Sequence, residues 1–150
     1  MKNTMQNTET LNDLIEINND RIEGYNKASE QTKDEDLRTL FSKMSAQSSV
    51  LAGELKQLVR GEGNEPEEGT TFRGKIYRAW MDVKATFSGK DRKSVLDSCE
   101  FGEDAAQRAY KSALEDDDLS SDVRMVIEKQ KGILREAHDK IKYLRDAQRS

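Results

Sequence analysis

The chain has 150 residues, with 25 Lys and Arg against 29 Asp and Glu, for a formal net charge of −4. This length suits one domain with one core. The acidic balance argues against nucleic acid as a partner and against contact with an anionic membrane. The chain has one Pro and one Cys, so we expect long helices and no internal disulfide.

The N-terminal segment carries no apolar run of the kind found in secretory signals, and no stretch approaches the roughly 20 apolar residues of a membrane span. We therefore expect a cytoplasmic protein. Residues 1–8 are polar and are predicted to be disordered.

Four long amphipathic helices are predicted from apolar residues that recur every three or four positions. The first runs from about Glu9 to Gln31. The second opens at a capping-box spacing, Thr32 and Glu35, and ends at Gly61. The third runs from about Arg92 to Glu115, after a possible cap at Asp91, and the fourth follows Ser120.

The connection between the second and third helices is long. It begins with an acidic linker, residues 61–69, and continues with a short amphipathic helix, residues 70–88. Short turns join the first helix to the second and the third to the fourth, so the two helices of each pair are antiparallel. The prediction is a single all-α domain over 1–150, a ferritin-like four-helix bundle whose long crossover contains the short helix.

Polar residues interrupt the apolar stripes at Asn18 and Gln130, where the pattern predicts hydrogen bonds to each other or to Tyr25 across the core. Cys99 lies on a face of small residues and is predicted to be a packed thiol. His138 lies at the edge of the last stripe, which favours a half-buried side chain bonded to a neighbour.

Four segments together resemble a bacterial family, the domain of unknown function 2383 family. They read LNDLIEINNDRIEGY (11–25), RAWMDVKATFSGKD (78–91), CEFGEDAAQRAY (99–110) and AHDKIKYLRD (137–146). The resemblance implies a ferritin-like four-helix bundle without a settled activity, and the kind of family suggests stress-related physiology.

A ferritin-like bundle invites the hypothesis of a carboxylate-bridged di-metal site, which normally takes a Glu from each of two helices and a Glu-x-x-His from each of the other two. That signature is incomplete, because the second helix has no His and Arg135 stands three residues before the only His. The candidate metal ligands are Glu16, Glu23, Glu100, Glu103 and His138.

Two interpretations of these carboxylates stay open. Glu100 and Glu103 are either ion-pair partners of Lys or Arg on adjacent helices or metal ligands, and we favour the first. The sequence does not decide which of the two faces the core. The favoured function is non-enzymatic binding or assembly without a cofactor. The alternative is a metal-binding protein, an oxidoreductase or an iron-handling protein, that holds iron, manganese or zinc with an incomplete ligand set.

The short crossover helix is basic in an otherwise acidic chain, and it carries the only Trp. Such a helix either caps the bundle core or docks a partner. The candidate partner-binding residues are Arg78, Trp80 and Lys84. Expected partners are a second copy of the chain, in a homo-oligomer, or another protein at this helix.

Overall fold

The computed structural model describes residues 4–66 and 92–147, and this part of the chain is all-helical. Its four helices are α1 (Thr4–Gln31), α2 (Glu35–Gly61), α3 (Arg92–Leu114) and α4 (Ser121–Asp146). They form an all-α four-helix bundle, as the sequence predicts. The predicted crossover helix, residues 70–88, lies outside the described residues, as does the end of the acidic linker after Pro66.

Helix pairing follows the chain: α1 packs mainly on α2, and α3 packs mainly on α4. The two hairpins meet through contacts of α1 with α3 and of α2 with α4. Arg92, at the start of α3, binds Asp36 at the start of α2, whereas Glu62, just after α2, binds Asn7 near the start of α1. Therefore α2 ends and α3 begins at opposite ends of the bundle.

The observed helix starts differ from prediction at two places. α1 begins at Thr4 rather than Glu9, so the helix includes residues 4–8. The Asn7 amide and the Thr8 hydroxyl both donate to the Glu62 carboxylate, at 3.0 and 2.8 Å, which anchors this first turn. α2 begins after Asp34, and the Thr32 hydroxyl accepts from the Asp34 N–H instead of capping the helix.

The core consists of two apolar halves. One half holds the Leu and Ile side chains of early α1 against late α2, late α3 and early α4. The other holds Tyr25, Phe41 and Cys99 with their neighbours at the opposite end. Between the halves lies a layer of buried polar side chains, and this layer contains a charged pair. The layer comprises Asn18, Arg21, Ser48, Glu103 and Gln130.

Candidate functional site

The centre of the polar layer is an ion pair between Arg21 of α1 and Glu103 of α3. The Arg21 Nε donates to Glu103 Oε1 at 2.9 Å, and Nη2 donates to Oε2 at 2.7 Å. Both side chains are 0 % exposed. Two parallel bonds of this kind are the strongest form of an arginine–carboxylate contact. Because both groups are buried, removing either one would leave an uncompensated charge in the core.

The remaining polar atoms of the pair also have partners. The Arg21 Nη1 donates to the Ser48 hydroxyl at 2.6 Å and to the side-chain oxygen Oε1 of Gln47 at 3.1 Å. The Tyr25 hydroxyl donates to Glu103 Oε2 at 2.9 Å, and its ring lies 5.3 Å from the guanidinium carbon of Arg21. The Glu103 carboxylate is thus held by three donors from α1.

A second set of hydrogen bonds extends this network to α4. The Ser48 hydroxyl donates to the side-chain oxygen Oδ1 of Asn18 at 2.9 Å. The side-chain nitrogen Nδ2 of Asn18 donates to the Tyr110 hydroxyl at 2.8 Å. Tyr110 in turn donates to Gln130 at 2.7 Å, and Gln130 donates to Glu54 at 2.9 Å. We call the whole set, from Glu103 through Arg21, Asn18 and Gln130 to Glu54, the core network. It links all four helices.

Local sequence explains how the network fits in the core. Asn18, Arg21 and Tyr25 are spaced by three and four, so they share the inner face of α1. On α3, Glu103 is flanked along its own face by the small buried residues Cys99 and Ala106, which leave room for the guanidinium. The two amides bond through Tyr110, and neither to each other nor to Tyr25, so that prediction was wrong in its partners.

Arg21 was not identified from the sequence as a residue of the buried site. A charged side chain on an inner face is read as a break in the apolar stripe, and Arg is almost never fully buried unless it is paired. The available signal was its spacing, three residues after the already anomalous Asn18 and four before Tyr25. Together with a Glu on a small-residue face of another helix, that spacing would have suggested a buried ion pair.

Burial sets the ionisation of the network. It raises the pKa of Tyr25 well above its ordinary value, with the nearby Glu103 charge adding to the effect, and it also raises the pKa of Tyr110. Burial raises the pKa of the Cys99 thiol in the same way. For Arg21, desolvation lowers the pKa, but the Glu103 charge and hydrogen bond outweigh it. At neutral pH Arg21 is therefore charged, whereas the Tyr25 and Tyr110 hydroxyls and the buried Cys99 thiol stay protonated, so this part of the core holds no reactive thiolate.

The structure separates the residues that were candidate metal ligands. Glu103 is buried in the core, whereas Glu100 lies on the flank and accepts from Arg145 Nη1 at 2.7 Å. Both glutamates are ion-pair partners of arginines on adjacent helices, as the favoured interpretation predicts. Glu16 is half-buried and Glu23 is exposed. Within residues 4–66 and 92–147, no three His, Cys, Asp or Glu side chains are grouped so as to hold a metal ion.

His138 links α4 to α3 on the bundle surface. Its Nε2 lies 2.5 Å from Asp104 Oδ1, and its Nδ1 lies 3.1 Å from Asp139 Oδ1. The side chain is 18 % exposed, which agrees with the half-buried, hydrogen-bonded histidine expected from the sequence. Desolvation lowers the pKa of His138, but the bonds to Asp139 and Asp104 outweigh it, so the pKa is raised. The candidate partner residues Arg78, Trp80 and Lys84 lie outside the described residues.

Comparison with known families matches residues 6–116 to the model described as domain of unknown function (DUF2383). The chain belongs to the DUF2383 family. The match spans α1, α2 and α3 and so contains Arg21, Ser48 and Glu103 of the core network. It ends before α4 and His138. The comparison with curated proteins finds no match. The description of the family itself assigns no activity.

No helix of the described residues has the length and apolar character needed to cross a membrane.

Proposed function

We propose that this DUF2383 protein is a non-enzymatic, ferritin-like four-helix bundle that works by binding or assembling with other proteins. The end of α2 and the start of α3 lie at opposite ends of the bundle. This placement supports the ferritin-like topology, which is distinguished by one long crossover between its two helix pairs. The observation that carries the functional part is the complete engagement of Glu103 by donors of the protein itself.

A ferritin-like metal centre would need the core carboxylates free to bind cations. Here the guanidinium of Arg21 already stands against both oxygens of Glu103. A metal ion at that position would meet a positive charge at close range and would have to displace two short hydrogen bonds. The residues present do not fit a metal centre in the core.

The alternative is a metal-binding protein that holds iron, manganese or zinc with an incomplete set of ligands. Its remaining candidates are Glu100 and His138, whose present partners are Arg145, Asp104 and Asp139. These two candidates lie on the flank of the bundle, and a metal ion there would compete with an existing ion pair.

Thermal unfolding in the presence of metal ions separates the two proposals. A metal ion whose free concentration is one hundred times its dissociation constant stabilises the folded state by about 2.7 kcal/mol. For a chain of this size that raises the Tm by roughly 5–10 °C. After a chelator wash, we expect no such shift with ferrous iron under anaerobic conditions, manganese or zinc.

The matched variants are Glu100→Gln and the control Asp97→Asn, because both carboxylates approach Arg145. A Tm increase in the wild type that survives in Asp97→Asn and disappears in Glu100→Gln would establish the metal-binding alternative instead.

A further inference from the structure

One flank of α1 carries acidic residues along most of the length of the helix. Five carboxylates recur at spacings of four, three, four and three, so they form one stripe on the helix surface. No basic residue belongs to this stripe. Its members, which we call the acidic flank of α1, are Glu9, Asp13, Glu16, Asp20 and Glu23.

Asp20 is buried at a position that a four-helix bundle leaves open to solvent. It lies roughly 130° around α1 from the midpoint of Asn18 and Arg21, which face the core. It also lies on the side away from α2, because Asn26, which accepts a hydrogen bond from α2, is on the other flank. Nevertheless Asp20 is only 2 % exposed.

Ala105 of α3 is buried in a similar way. It lies roughly 130° around the helix from the midpoint of Glu103 and Ala106, which face the core. It is also on the side away from α4, because Asp104, which contacts His138 of α4, is on the other flank. Ala105 is 1 % exposed.

Asp20 and Ala105 therefore border one groove, between α1 and α3. Each stands within two residues of a member of the Arg21–Glu103 ion pair, so both lie at the same level of the bundle. The groove between α2 and α4 offers a comparison, because Glu54, which bonds across it to α4, is exposed. Burial of Asp20 thus requires a further layer of chain over the groove between α1 and α3.

The connection formed by residues 67–91 has the length and the end points to supply this layer. It joins the end of α2 to the start of α3, at opposite ends of the bundle. As a helix its 25 residues would span about 37 Å, against about 35 Å for the 23 residues of α3. The terminal residues 1–3 and 148–150 are too few to cover a groove.

The sequence of residues 70–88 fits the groove in both charge and polarity. Four basic residues stand against one acidic residue, in a chain whose net charge is −4. A carboxylate as buried as Asp20 has to be hydrogen-bonded or paired, and basic side chains can do both. Apolar residues for the side turned to the bundle recur at helical spacing, and these are Phe72, Ile76, Trp80, Val83 and Phe87.

The two ends of the connection set the level of its middle. Thr8 bonds to Glu62, 54 positions later, and Asp34 bonds to Arg92, 58 positions later. A segment that runs parallel to α1 between these ends with a helical rise brings position 73 level with about position 17, and position 78 level with about position 22. This range holds three of the four basic residues, and it lies along positions 16–23 of the acidic flank.

We propose that the acidic flank of α1 and the adjoining side of α3 are the docking surface for residues 70–88 of the same chain. The basic side chains of that segment bind the carboxylates of the flank, and its apolar residues cover Ala105. This inference goes beyond the proposed function, because it concerns a contact within one chain. It implies that Trp80 and its basic neighbours serve the fold, so partners in assembly bind to other surfaces.

Zero-length cross-linking of the full wild-type chain with a water-soluble carbodiimide tests the placement. The reagent joins a lysine amine to a carboxylate already in contact with it, with loss of water, and mass spectrometry of the peptides locates the new amide. We expect links from Lys75 or Lys84 to the acidic flank in the monomer band of a denaturing gel. Lys93 and Asp97, whose charged atoms lie 3.0 Å apart, are the internal positive control.

Three results of the cross-linking would overturn the proposal. One is a link from Lys75 or Lys84 to Glu54 or Glu128, on the far side of the bundle. Another is the control link without any link to the acidic flank. The third is a link to the flank that occurs only in the dimer band, which would assign the surface to the segment of a second copy.

Charge reversal tests whether the carboxylates hold the segment. Trp80 is the only Trp, so its quenching by acrylamide reports on this segment alone. A double variant, Glu16→Lys with Glu23→Lys, should raise the quenching constant at least about twofold, because each surface pair contributes a factor of up to about five. The matched control, Glu128→Lys with Glu136→Lys on α4, changes the net charge equally and should leave the quenching unchanged.

Circular dichroism establishes that both double variants keep their helix content. Equal quenching of Trp80 in the two folded variants would overturn the proposal, and the wild-type cross-links test it independently if the α1 variant does not fold. None of these results bears on the non-enzymatic proposal, whose own test is the metal-dependent shift in Tm.

Discussion

Replacing Arg21 by Met should be among the most damaging single changes in this protein. Met has a similar length and fills the same space, so the packing volume is nearly kept. The change removes both bonds to the Glu103 carboxylate and the bonds to Ser48 and Gln47. It leaves Glu103 fully buried, with the Tyr25 hydroxyl as its one remaining donor within residues 4–66 and 92–147.

The magnitude follows from the loss of a buried partner. Breaking a buried ion pair by removing one member costs about 3–5 kcal/mol, since the remaining charge stays desolvated. For 150 residues this lowers the Tm by roughly 6–20 °C, at 2–4 °C for each kcal/mol. The double variant Arg21→Met, Glu103→Leu removes both charges and should recover at least half of the loss.

The loss should depend on pH in a defined direction. In Arg21→Met the Glu103 carboxylate is buried without its counter-charge, and a buried carboxyl group of this kind is disfavoured in its charged form. The folded state of the variant then binds more protons than the unfolded state, so its stability falls as the pH rises. The variant should be closer to wild type at pH 5 than at pH 7.

Urea unfolding followed by circular dichroism at pH 5 and pH 7 measures both effects. Arg108→Met, at an exposed arginine of α3, is the control and should change the stability by less than about 0.5 kcal/mol. The reasoning is refuted if Arg21→Met costs less than about 1 kcal/mol at pH 7 or if its cost is the same at both pH values.

Three further changes probe other parts of the bundle. The raised pKa of His138 adds stability that is complete below the unfolded value of about 6.5 and is lost as pH rises through the folded value, so His138→Gln should remove that dependence from unfolding curves at pH 5.5–8.5. Gly132→Ala, in an open position inside α4, should stabilise by about 0.5–1 kcal/mol in thermal melts. Tyr110→Phe leaves Asn18 and Gln130 without their shared partner and should cost about 1–3 kcal/mol in urea titrations.

The sequence predicts the helices well because their apolar stripes are local and regular. Residues such as Leu51, Leu55 and Val59 repeat at helical spacing, and all three lie in the core. The start of α1 could not be predicted in this way. It depends on bonds between Asn7 or Thr8 and Glu62, which are more than 50 residues apart, and no local pattern encodes that contact.

The core network was predicted only in outline. Asn18 and Gln130 stood out because a polar residue in an apolar slot is visible in the sequence, but their partner depends on how α1, α3 and α4 are arranged. The pairing of Glu103 depends further on Arg21, and the helical spacing of apolar residues does not predict that an arginine is buried there. The side of α3 on which Glu100 and Glu103 lie was likewise set by the tertiary arrangement, since one turn of helix separates the two by less than a right angle.

Metal content of the purified protein tests the central claim, that an arginine and not a metal ion balances the core carboxylate. The chain is purified without chelator or affinity tag, offered ferrous iron, manganese and zinc in turn, desalted and measured by elemental analysis. The account predicts only background metal under all three conditions. One or two equivalents retained through desalting, and lost in Glu103→Gln, would contradict it.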